Sequence, residues 1–452
     1  MEIYFYKGNE NILANIKGKA DAEVGETQEQ ADLKAKTRKI QESFLKVLDN
    51  KNLSFLLGSG CSSYKLESEA YKEIGIPVMA PLAREFYSSP DFAEQKEWLK
   101  SELSIDVTHS NFATNLETFL STLHSLSFYY LKTTLPKEQE DEAETKEVEF
   151  SDLFLSEKID FIIIQARNFL LEKCLNTENT KATDNNESID KPLIELYKQF
   201  YRKLLSRNST LPRLNIFTTN YDLYSERAMD LLGIHYVNGF TGGISKFFNP
   251  AIFNYALAEK MDLSQSKWSV IDNFFYLYKI HGSVNWIEAD GENKLFKVKE
   301  IQEPTFDELK EKDTIMIHPT PLKYNASLGS PYSDLFREFQ KKLMQNNNIL
   351  VTIGYSFSDE HINNLIFQAF TIPSFRLIVI GEPTDKNVIG KLLELNDSRI
   401  WIIGEKWPTG VANYTPLYFF KKFVEQILPD LTAQDLDHKM EDTINSLKNL
   451  LK

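Results

Sequence analysis

The 452-residue sequence predicts an α/β domain: a parallel sheet with helices on both faces, interrupted by a helical insertion. Three observations predict it. From residue 212 onward, short β-branched runs alternate with stretches of helical period, the pattern of parallel strands joined by covering helices. The first such run, at 53–57, lies far upstream of the others, with helical patterns between them. Several runs end in Gly, Asn, Asp or His, and open α/β sheets bind ligands beyond the carboxyl ends of their strands.

Taken in order, residues 1–33 are polar and irregular after an apolar "IYFY", and read as an N-terminal arm or a strand that docks elsewhere. Residues 34–50 place Ile40, Phe44, Leu45, Val47 and Leu48 at helical spacing. The strand at 53–57 follows, then the turn Gly58-Ser59-Gly60-Cys61-Ser62-Ser63. Residues 82–207 form the helical insertion, broken by an acidic loop, "PKEQEDEAETKEVE", and a polar one at 176–191. Further strands are expected at 214–218, 277–280, 315–317, 348–353, 375–380 and 400–403. Helices are expected at 223–232, 334–344, 360–370 and 387–395. The main domain then spans 34–405. Residues 406–452 form a C-terminal helical segment, with helices at 417–428 and 435–451 that cap the domain or pack on a neighbour.

Composition narrows the function. A net charge of −14 repels phosphate backbones and disfavours nucleic-acid binding by the whole surface. Two cysteines, Cys61 and Cys174, build no disulfide framework, which fits a reducing cytoplasm. The N-terminus lacks the apolar core of a signal peptide, and no apolar run reaches the roughly 18–20 residues of a membrane span.

The candidate chemistry sits at the expected strand ends. In the first turn, Gly58, Ser59 and Gly60, with Ser62 nearby, let backbone approach a phosphate; a tight turn explains the glycines equally well. Cys61 has no identifiable base beside it, which argues against a nucleophile. In "TTNYD", Asn220 suits a ribose hydroxyl or a water, and Asp222 a carboxamide N–H. Helix capping is the plain alternative for Asp222, whereas Asn220 comes too early to be the only cap. In "KIHGSVNW", His281 follows a buried strand, and histidine is the residue type whose unperturbed chemistry suits base work near neutrality; a core histidine is the plain alternative. His318 reads as structural. In "GYSFSDEHI", Gly354 and Ser356 suit phosphate or adenosine, and Asp359 suits these or a helix cap. Glu382, just past a strand, suits ribose hydroxyls.

This order of motifs resembles the sirtuin-like domain of bacterial antiphage defence proteins. The matching pieces are Gly-Ser-Gly-Cys-Ser (58–62), Thr-Thr-Asn-Tyr-Asp (218–222), Lys-Ile-His-Gly-Ser-Val-Asn-Trp (279–286), Pro-Thr-x-x-Lys (319–323) and Gly-Tyr-Ser-Phe-Ser-Asp-Glu-His-Ile (354–362). The resemblance covers about residues 34–405. It implies a Rossmann-like sheet with a helical module and NAD as substrate, hydrolysed at its nicotinamide–ribose bond to deplete the cell by abortive infection. Asn220 and His281 would then be the catalytic pair, and the 58–62 turn the pyrophosphate cradle. It also implies gating, through a homo-oligomer or a partner: a HerA-type hexameric ATPase, a short Argonaute-associated subunit or an upstream nucleotide-making enzyme. Deacylases of the wider family hold zinc on four cysteines. This chain cannot, so no zinc and no protein deacylation are expected. The rival readings are a non-catalytic NAD or ADP-ribose sensor or scaffold, and a nucleic-acid effector.

Overall fold

Alternation of apolar side chains along the strands divides the core into two layers. Phe55, Leu57, Ile216, Ile349, Val351 and Ile353 enter one buried cluster, while Leu56, Phe217 and Leu350 enter the other, because successive strand residues point to opposite faces. A computed structural model describes residues 2–20, 27–66, 72–133, 150–175, 191–262, 267–289, 297–310, 312, 314–316, 330–411 and 414–430. The sites read at His318 and 319–323, the two loops within the insertion and the helix expected at 435–451 fall outside the described residues, apart from Lys191, which opens a helix.

Asn52–Leu57 lies inside a nine-stranded sheet, next to its middle strand. On one side it pairs in parallel with Asn348–Ile353, followed by Arg376–Ile380 and Ile400–Glu405. On the other it pairs in parallel with Asn215–Thr218, followed by Phe274–Lys279 and the short edge strand His235–Val237. Ile3–Lys7 adds antiparallel to Ile400–Glu405, and Glu10–Asn11 closes that edge. The apolar start of the chain is therefore sheet edge, and the sheet is mixed.

One face is covered by Gln28–Leu48, through Ile40, Phe44, Val47 and Leu48, and by Lys191–Leu205, through Leu193, Tyr197 and Phe200. Thr27 opens the first of these helices with a capping box to Gln30. The other face is covered by Tyr332–Leu343 and Glu360–Ala369, through Leu335, Phe339, Ile362 and Ile366. The insertion has a core of its own, in which Phe86, Phe92, Phe119 and Ile162 join the helices Met79–Ser88, Leu116–Thr133 and Leu155–Leu175.

A second, antiparallel sheet was not expected. It runs Thr314–Met316, Gly282–Glu288, Val298–Glu300, Lys246–Phe248, Phe240–Thr241. The run read at 315–317 belongs here, not among the parallel strands. Gly282–Glu288 escaped notice because both its faces are buried as far as Ile287, which erases the alternation that betrays a half-exposed strand. The chain passes between sheets at His281-Gly282, where Gly282 takes φ +87°, a conformation that glycine adopts without penalty.

Candidate active site

Four strands end level with one another. Ile353 pairs with Leu57, Leu57 with Thr218 and Thr218 with Lys279. The next residues along each strand supply Gly354, Gly58, Asn220 and His281. The chain order reverses beside Asn52–Leu57, because later strands stack on both its sides, and such a reversal opens a crevice at the carboxyl ends. Topology alone thus gathers motifs separated by hundreds of positions.

The two glycine turns meet backbone to backbone. The Gly58 amide donates to Ile353 O at 2.9 Å and the Gly60 amide to Gly354 O at 3.0 Å. A Cβ on Gly58 would stand 2.4 Å from Gly354 O, and one on Gly354 2.8 Å from Cys61 N. Gly354 also takes φ +62°. The amides of Cys61 and Ser62 donate to Gly58 O and Ser59 O, at 2.9 and 3.1 Å. The glycines assigned to phosphate therefore serve a loop crossing, with the amides at 58, 60, 61 and 62 already engaged. Ser59 remains exposed. Cys61 is buried and its thiol approaches Ile353 O at 3.3 Å; burial pushes its pKa up and keeps it protonated.

Asn220, Ser62 and Asp222 form a buried relay. The Asn220 side-chain amide donates to Gly58 O and to Ser62 Oγ, both at 2.9 Å. Ser62 Oγ donates to Asp222 Oδ2 at 2.5 Å. Asp222 Oδ1 accepts from the Tyr224 amide at 3.1 Å, where the helix Tyr224–Leu231 begins. Asp222 thus satisfies a helix-start amide with one oxygen and holds Ser62 with the other. Both protons of the Asn220 amide are spent, so what Asn220 offers a ligand is its Oδ1 acceptor.

A lysine beneath this loop went unremarked in the sequence. Lys279 is 1% exposed. Its ammonium donates to Tyr221 O at 3.2 Å and to Asp222 O, and pairs with Glu226 Oε1 at 3.0 Å. Burial raises the Glu226 carboxyl above the usual range, and Lys279 opposes the rise. The signal was present: a lysine in an otherwise apolar strand, "FFYLYK", must find partners to be buried. The Tyr221 carbonyl also accepts from the Val284 amide at 3.1 Å and Ser283 Oγ at 3.3 Å. The loop bearing Asn220 is therefore bonded to the segment that follows His281.

His281 is 9% exposed. Its Nε2 lies 3.1 Å from Asp359 Oδ2, off the line of a formed hydrogen bond. Asp359 Oδ1 accepts from the amides of His361 and Ile362, so Asp359 is the cap of Glu360–Ala369. The loop before it is braced. Phe357 sits in the left-handed region at φ +58°, which a bulky residue rarely adopts, and Asn363 Nδ2 holds its carbonyl at 2.8 Å. Ser356 is exposed and hydrogen-bonds Ser358 Oγ at 2.9 Å. Glu382 stands apart: Oε1 accepts from the Trp407 amide at 3.2 Å and Oε2 from Tyr418 OH at 3.1 Å. Its carboxylate is committed to the C-terminal segment.

Among the described residues no group of His, Cys, Asp and Glu is arranged to hold a metal ion, and no helix is long and apolar enough to cross a membrane. No curated protein matches the chain. One family model does, over residues 214–387, and its description is the SIR2-like domain. The match takes in Asn220, Asp222, His281, Gly354, Asp359 and Glu382, and leaves the 58–62 turn outside. Residues 214–387, similar to the SIR2-like domain, thus supply most of the strand ends just described, on a Rossmann-like α/β sheet.

Proposed function

We propose that this protein hydrolyses NAD at the nicotinamide–ribose bond. One observation carries the reading: Asn220 and His281 leave the ends of directly paired strands, and the Tyr221 carbonyl bonds their loops together. Adjacent strands lie roughly 4.8 Å apart, so the two side chains start close enough to act on one sugar ring.

The bond breaks through an oxocarbenium-like state. Nicotinamide departs with the bonding electron pair, and water adds to the anomeric carbon. Asn220 Oδ1 accepts a hydrogen bond from that water or from a ribose hydroxyl. His281 takes the proton released. Asp222 and Ser62 hold the Asn220 amide in place, and a carboxamide N–H reaching Asp222 would share its oxygens with Ser62 and Tyr224. Gly354 and Ser356, with the 58–62 turn across from them, lie where the rest of the dinucleotide would run.

The activity suits a defence role in which an infected cell loses its NAD. Unrestrained turnover would kill the host, so gating through a homo-oligomer or through one of the partners named above belongs to the same reading. Purified wild-type protein incubated with NAD, alone and with extract of infected cells, tests it. Nicotinamide release is expected to fall about 100-fold or more in Asn220→Ala and in His281→Ala. Undiminished release in both variants would refute the assignment. Tight NAD binding without release under any condition would favour the sensor.

A further inference from the structure

The face of His281 that meets Asp359 has no counterpart in the pair of catalytic residues proposed above. Asp359 enters from a different strand, three places across the sheet: Lys279 pairs with Thr218, Thr218 with Leu57 and Leu57 with Ile353. Three strand spacings amount to about 14 Å, yet the carboxylate reaches within 3.1 Å of the imidazole. The loop 354–359 closes that gap. It leaves the sheet at Gly354 with φ +62°, turns again at Phe357 with φ +58°, and is fixed by Asn363, which donates to Phe357 O and accepts from Tyr355 OH at 2.8 and 2.9 Å. A strained, braced loop is maintained where its geometry serves the site.

Resting on the NAD-hydrolysis reading, we propose that Asp359 is a positioning residue which orients His281 through Nε2 and stabilises it once protonated. Oδ1 is held by two helix amides, so the carboxylate cannot swing away, and Oδ2 alone is presented to the ring. With Nε2–H turned to Oδ2, the Nδ1 lone pair accepts the proton from water or ribose hydroxyl. The imidazole becomes imidazolium and the carboxylate stays ionised. The side chains of His281 and Asp359 are only 11% and 10% exposed, so little water screens the charge that develops. The contact is misaligned as it stands, and a small rotation of the ring brings Nε2–H into line with Oδ2.

The test separates this role from helix capping. Asparagine caps a helix as well as aspartate, so Asp359→Asn keeps the cap and removes the charge. The expected outcome is an unchanged melting temperature, KM for NAD within about threefold, and kcat reduced at least about 100-fold. The ring ¹⁵N resonances of His281, assigned by their loss in His281→Gln, shift away from the Nε2–H pattern in Asp359→Asn. If kcat and the resonances of Asp359→Asn match wild type while His281→Ala is inactive, Asp359 is a cap only and the NAD reading stands. If His281→Ala turns over NAD normally, that reading falls and this inference with it. If wild type releases no nicotinamide, the ring spectrum decides alone: resonances identical in wild type and Asp359→Asn overturn the pairing.

Discussion

At the scale of single residues, the strand-end loops are built by the groups that hold Asn220 and its neighbours in place. Asn220 is fixed by Gly58 O and Ser62, and Ser62 by Asp222. Lys279 anchors the backbone of that loop from below while Glu226 balances its charge. Removing one partner of a buried ion pair leaves the other uncompensated, so Lys279→Met should cost about 3–5 kcal/mol of stability in a denaturant titration. The pair also predicts a pH dependence. Burial raises the folded-state pKa of Glu226 above 4.5, so the folded protein binds that proton more tightly than the unfolded chain. The resulting stability is full below about 4.5 and is lost as pH rises through the raised value. Measured against Glu226→Gln, wild type should lose relative stability as pH climbs past that point. A flat difference would show that Glu226 ionises in the fold as freely as in water, and one of opposite sign that Lys279 outweighs burial.

At the scale of elements, the strand ends act together because the glycine turns can touch. Gly58→Ala places a methyl group 2.4 Å from Gly354 O, and overpacking of this kind costs about 1–3 kcal/mol. Gly354→Ala adds a left-handed conformation, worth about 1–2 kcal/mol more. Equilibrium unfolding should rank them in that order below wild type; two wild-type curves would mean that the turns do not cross as described. These elements also show how far the sequence could be read. Asn348–Ile353 was legible end to end, and its neighbours to within a few residues, because unbroken β-branched runs between helical stretches have few other interpretations. The strand-end positions of His281 and Asn220 were legible because each follows closely on an apolar run. The Asp359–His281 contact was not legible, since it depends on a loop that spans three strand spacings. Nor was the second sheet, whose strands are short or buried on both faces.

At the scale of the whole molecule, distant parts of the chain complete the domain. The first strand, Ile3–Lys7, pairs with one of the last, Ile400–Glu405. The segment after it buries Phe420, Phe423, Val424 and Ile427 against the helix Gln28–Leu48 and its neighbours. Glu382 ties that segment to the sheet through Trp407 and Tyr418, as a latch would. Glu382→Ala is therefore expected to lower the melting temperature by several degrees, as a loss of about 1–3 kcal/mol implies, while leaving KM for NAD unchanged. A raised KM at an unchanged melting temperature would restore the ribose role. The helical insertion has a core of its own, and it leaves the sheet after the 58–62 turn and returns to it at Asn215–Thr218.

The central claim is that Asn220 and His281 meet on one ribose. A crystal structure of the wild-type protein with a carbocyclic, uncleavable NAD analogue tests it most directly. The account predicts the nicotinamide-bearing ring within hydrogen-bond reach of Asn220 Oδ1 and of the His281 imidazole, with Asp359 behind that histidine. An analogue seated elsewhere, or with that ring turned away from both side chains, would contradict it.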